Sequence, residues 1–113
     1  MSGALAVLST VGTSEDAERI ARELVERGLA ACVNVVSGVT SFYRWEGRVA
    51  RDQESLLVIK TRADGFEPLR QALVALHPYD VPEVIALPIE RGHPPYLEWL
   101  ATSVETGPVG PGA

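Results

Sequence analysis

Few side chains in this 113-residue sequence can hold a metal or attack a substrate. The chain has one cysteine, Cys32, two histidines, His77 and His93, and one lysine, Lys60. A thiolate at Cys32 suits a soft ion such as Cu(I); a lone thiol entering a strand reads first as a small buried hydrophobe. His77 reads either as a metal ligand or proton donor or as a histidine drawn to a helix C-terminus by its dipole. His93, between Gly92 and two prolines, reads as a solvated loop residue. Lys60 has no second activating group near it in sequence, which argues against a Schiff-base role. Asp80 and Glu83 are a candidate acid/base pair, but prolines on both sides of Asp80 read as a structural turn. The sequence contains no Gly-rich phosphate loop, no Ser-His-Asp context and no HExxH.

The elements that must position these residues follow from periodicity. Leu5 to Leu8 is a short apolar run and reads as a buried strand. Thr13 or Ser14 then caps a helix near 15–27, with an apolar stripe at Ala17, Ile20, Ala21, Leu24 and Val25. Glu15/Arg19, Glu18/Arg22 and Glu23/Arg27 are spaced as i,i+4 ion pairs, and Gly28 stops the helix. A strand from Ala31 to Trp45, with a bulge at Ser37-Gly38, turns at Glu46-Gly47 and returns from Val49 to Thr61. Asp64, with Glu67 three residues on, starts a second helix near 65–76, with core residues Phe66, Leu69, Leu73 and Leu76. His77-Pro78 ends it, and Val81-Pro82 stiffens the connector. Glu83 to Ile89 is a fourth strand, and Pro94-Pro95 opens a short C-terminal helix. The order βαββαβ is the ferredoxin-like α+β plan, with an antiparallel sheet and both main helices on one face. Residues 1–104 form the domain; the Gly/Pro-rich residues 105–113 read as a flexible tail.

Bulk properties narrow the function. A net charge of −5 and a pI near 4.9 with no basic stripe argue against nucleic acid and against a membrane surface. One cysteine excludes an internal disulfide and the paired-cysteine zinc patterns. Met1 to Thr10 lacks a charged n-region and a long apolar stretch, so the expected compartment is the cytoplasm.

Two features predict self-association. Leu5 to Leu8, Leu56 to Ile59 and Val84 to Leu87 are apolar at every position, whereas a sheet with one wet face alternates. The hairpin arm, about 14 residues long, spans roughly 45 Å and overhangs a body about 34 Å across. A homotrimer would cover the open face and receive the arm. Tyr43, Trp45, Glu54 and Lys60 then line an intersubunit cleft for a small ligand, or serve as packing and salt-bridge residues between copies.

Five segments carry a family resemblance: Leu29 to Asn34, Ser41 to Gly47, Glu54 to Thr61, His77 to Glu83, and Tyr96 to Leu100. In this order and spacing they resemble the CutA family of divalent-cation tolerance proteins over about residues 4–103. The resemblance implies a tight trimer, similar in architecture to PII-type signal proteins, with hairpins reaching across neighbours. It implies a response to metal ions, with copper or another divalent cation as the ligand, no obligatory cofactor and no established catalysis. Some copper-binding members carry a cysteine at the position of Ser9 and a histidine at that of Leu76. His77 alone remains of that set, so weak copper binding centred on His77 is expected. A PII-like small-molecule sensor is the alternative.

Overall fold

The computed structural model describes residues 2–105. Of the expected tail, 105–113, residues 106–113 lie outside the described residues; the Glu105 N–H donates to the Gly28 carbonyl at 2.8 Å.

Eight elements follow in order: β1 (Ala4–Val11), α1 (Ser14–Glu26), β2 (Cys32–Trp45), β3 (Arg48–Arg62), a 3₁₀ turn (Ala63–Gly65), α2 (Phe66–Leu76), β4 (Ile85–Ile89) and α3 (Pro94–Thr102). The four strands form one antiparallel sheet in the order β2-β3-β1-β4. This is the ferredoxin-like α+β arrangement expected from the sequence. Among the described residues no helix is long and apolar enough to cross a membrane.

Local chemistry explains the boundaries. Thr13 caps α1 by accepting the Asp16 N–H at 3.1 Å, and the helix stops at Gly28, whose φ of +71° is costly for any residue with a Cβ. Glu46 and Gly47 both have positive φ, the backbone of a two-residue hairpin turn whose twist matches its strands. The register of β2 on β3 shifts between Val36 and Val39, so Ser37 and Gly38 are a bulge.

Three expectations are corrected. β4 begins at Ile85 and not Glu83, because pairing starts at Leu8↔Ile85 and Val84 turns into the core instead. Arg19 does not reach Glu15; its guanidinium holds Asp16 at 3.1 Å and the Leu76 carbonyl at 3.0 Å, tying α1 to the end of α2. No ion pair joins Glu18 to Arg22 among the described residues, whereas Arg27 does bind Glu23.

The core lies between the sheet and α1/α2. Val7, Val11, Ile20, Leu24, Leu57, Ile59, Leu69 and Leu73 are fully buried there, each contributing about 1.5–3 kcal/mol of burial. Among the described residues nothing covers the opposite face of the sheet. It carries Val36, Ile85 and Leu87, exposed at 44%, 50% and 50%, with Leu8, Leu56 and Val58 between them in register.

Candidate functional site: a tyrosine–carboxylate cluster on the hairpin

The strand registers decide which sequence candidates meet. On β3, alternate residues Arg48, Ala50, Asp52, Glu54, Leu56, Val58 and Lys60 share the uncovered face. Their partners on β2 are Trp45, Tyr43, Ser41, Val39, Val36, Asn34 and Cys32. Tyr43 lies diagonally across from Asp52, and its hydroxyl donates to that carboxylate. Glu54 follows two residues later, just beyond the bulge.

A third element completes the cluster. The connector after α2 runs past the end of β1, where Gly12 leaves room; a Cβ there would sit 3.2 Å from the Tyr79 hydroxyl. That hydroxyl donates to Glu54 Oε2 at 2.8 Å. His77 holds the connector in place. The Tyr79 N–H donates to His77 Nδ1 at 3.1 Å, which leaves the proton on Nε2 to donate to the Thr10 carbonyl at 2.8 Å. The two rings pack at 4.6 Å between centroids.

The electrostatics are one-sided. Burial, and then the bond to Glu54, push the Tyr79 hydroxyl well above the ordinary tyrosine range. The bond to Asp52 raises Tyr43 in the same way, helped by the charges of Asp52 and Glu54. Both phenols therefore stay protonated donors. Neither Asp52 nor Glu54 has a cationic partner among the described residues.

The structure separates the other candidates. Trp45 is at the arm tip, paired with Arg48 and 64% exposed. Lys60 sits six residues from Glu54 on β3, roughly 20 Å at ~3.3 Å per residue. It faces Cys32 across the strands, and both Lys60 Nζ and Cys32 Sγ donate to Asn34 Oδ1, the latter at 3.8 Å. Tyr43, Trp45, Glu54 and Lys60 thus form no single pocket within one chain. Cys32 is half-buried on the uncovered face, not in the core.

Copper does not fit the donors of a single chain. His77 has a hydrogen bond at each ring nitrogen, and Cys32 lies with Lys60, opposite Ala6, four residues along β1 from the Thr10 that binds His77. Ser9 is fully buried with its hydroxyl unpaired, and Leu76 offers no donor. Among the described residues no group of three or more His, Cys, Asp or Glu could hold an ion. Asp80 and Glu83 are both exposed, each without a salt-bridge partner among the described residues.

Sequence reasoning missed Tyr79 and Asp52. Tyr79 meets Glu54 across 25 residues of chain, which no local pattern reveals. The available signal was its place between Pro78 and Pro82, a connector stiff enough to aim a side chain.

Comparison with known proteins gives consistent results. Residues 5–103 match the family model described as CutA1 divalent ion tolerance protein. The divalent-cation tolerance protein CutA of Thermus thermophilus is 55% identical over 94 residues, covering 83% of this chain and 91% of that protein. The solved Thermus thermophilus structure superposes with a TM-score of 0.88 at 51% identity, covering 90% of this chain and 99% of that one. The Oryza sativa CutA1 structure gives 0.88 at 48%, covering 90% and 94%. The chloroplastic CutA of Arabidopsis thaliana is 52% identical over 88% of this chain, but the match spans only 54% of that longer protein.

Proposed function

The chain belongs to the CutA divalent-cation tolerance family, and from that premise we propose that it works as a homotrimer in the cell's response to metal ions, without catalysing a reaction. The observation that carries the assembly is the uncovered sheet face. Val36, Ile85 and Leu87 expose about half their surface there, beside Leu56 and Val58. A continuous apolar face of this kind marks an interaction surface. The overhanging arm, on a molecule 43 Å along its longest axis, gives the second contact.

Metal binding in this reading is weak and exchangeable, because the described residues of one chain supply no converging donor set. Donors from neighbouring copies, or Cys32 on the uncovered face, would have to complete any site. Sedimentation equilibrium tests the assembly: about three times the 12.2 kDa chain mass is expected, and a folded monomer refutes it. Calorimetry with Cu(II) at pH 7.5 and 5.5 tests the metal. Weak binding that fades at the lower pH is expected, since histidine must be neutral to coordinate. Tight binding unchanged in His77→Ala would place the site elsewhere. Cytoplasmic residence is part of the same proposal. A similar solved protein from Archaeoglobus fulgidus is described as periplasmic, so cell fractionation is the check.

A further inference from the structure

Among the described residues the Asp52–Glu54 pair lacks a cation, and the arm tip has cations without ion-pair partners. Residues 42–51 contain three arginines against one glutamate, in a chain of net charge −5. None of Arg44, Arg48 and Arg51 makes an ion pair among the described residues.

Face assignment separates the three. Arg44 and Arg51 lie on the face away from Asp52 and Glu54, and Arg51 stacks over Phe42 at 5.8 Å. Arg48 alone shares the uncovered face with the carboxylates, beside Trp45 in register. It pairs with neither within its own chain: Asp52 is four residues away along the extended strand and Glu54 six, roughly 13 and 20 Å.

We propose that Arg48 and Trp45 of one copy dock on Tyr43, Asp52, Glu54 and Tyr79 of the next, so that the cluster is completed only in the assembly. This rests on the homotrimer proposed above and names its contact. The chemistry is complementary on both counts. Two carboxylates, each with one oxygen held by a phenol donor, receive a guanidinium, which suits that fork-shaped donor. Two half-exposed tyrosine rings, at 41% and 40%, receive an indole exposed at 64%. The contact runs tip to cluster, so it is heterologous, and a heterologous contact repeated around an axis closes a ring. The arm tip and the cluster lie on the same face as the apolar patch, so covering that patch brings both into play.

Subunit exchange is the test. Labelled and unlabelled wild-type trimers are mixed and timed by energy transfer, alongside Arg48→Glu and the double variant Arg48→Glu/Glu54→Arg, with circular dichroism confirming the fold of each. Losing a buried charge partner acts mainly on dissociation. Arg48→Glu is expected to exchange at least about tenfold faster, and the double variant to return towards wild type. Added salt is expected to speed wild-type exchange. Unchanged exchange in Arg48→Glu, or failure of the double variant to recover, overturns the contact while leaving the trimer intact. A wild-type mass of one chain defeats the trimer itself and this contact with it.

Discussion

The two faces of the sheet are built from the same kinds of residue and end in different states. On one, Val7, Leu57 and Ile59 are wholly enclosed by α1 and α2; on the other, Ile85 and Leu87 keep half their surface in water. Along β3 the two sets alternate, Leu57 and Ile59 against Leu56 and Val58. Hydropathy therefore does not distinguish the face that the chain covers itself from the face that it leaves open. The difference lies in topology: right-handed crossovers send both helices to the same side.

Breaking the helix-covered face has the largest expected effect. Leu57→Ala should cost about 2–5 kcal/mol, read by denaturant unfolding as a loss that does not depend on protein concentration. Ile85→Ala, on the other face, should cost less, about 1–1.5 kcal/mol, because only half the side chain remains to be buried. Its signature is different: in the proposed trimer it weakens association, so the loss should grow on dilution. A concentration-independent loss at Ile85 would erase the contrast between the faces. Thr13→Ala, back on the helix side, should cost about 1 kcal/mol through the lost cap, again without concentration dependence.

Tyr79→Phe should have the smallest effect at neutral pH, about 0.5 kcal/mol for one solvent-accessible hydrogen bond. Its pH dependence sharpens the comparison. Folding raises the Tyr79 pKa through burial and Glu54, so the folded state holds this proton more firmly than the unfolded one. That stability is complete below the ordinary tyrosine range and is lost as pH rises through it and towards the folded value. Wild type should therefore weaken between pH 9 and pH 11 more than Tyr79→Phe does. Equal alkaline slopes would detach Tyr79 from the stability of the cluster.

Much of the fold was legible in the sequence, because local rules and the tertiary answer agree. The Thr13 cap, the Gly28 stop, the Ser37-Gly38 bulge and the Glu46-Gly47 turn are each set by a few neighbouring residues. The start of β4 was not, because whether Val84 pairs or packs depends on where β1 presents a partner. Ion pairs failed similarly. Spacing offered Arg19 a glutamate one turn away, but the end of α2, 57 residues later, supplied the Leu76 carbonyl that shares it with Asp16. The candidate site was legible in its residues but not in their grouping within one chain: Tyr43 and Glu54 fall in the tyrosine–carboxylate cluster, while Trp45 and Lys60 lie at opposite ends of the hairpin. Placing them required the register, and finding Tyr79 required the path of a connector from outside the hairpin.

Lys60 is the sole lysine of the sequence, and it stands on the uncovered face with its ammonium held by Asn34. The chain therefore carries a single side-chain amine, already positioned on the surface whose coverage matters. An acylating reagent would modify one lysine per chain, so its reaction rate is a direct gauge of whether that face is open or occupied. Nine of the ten basic residues are arginine and are silent to such a reagent. The composition thus supplies a built-in footprinting probe that needs no engineered label.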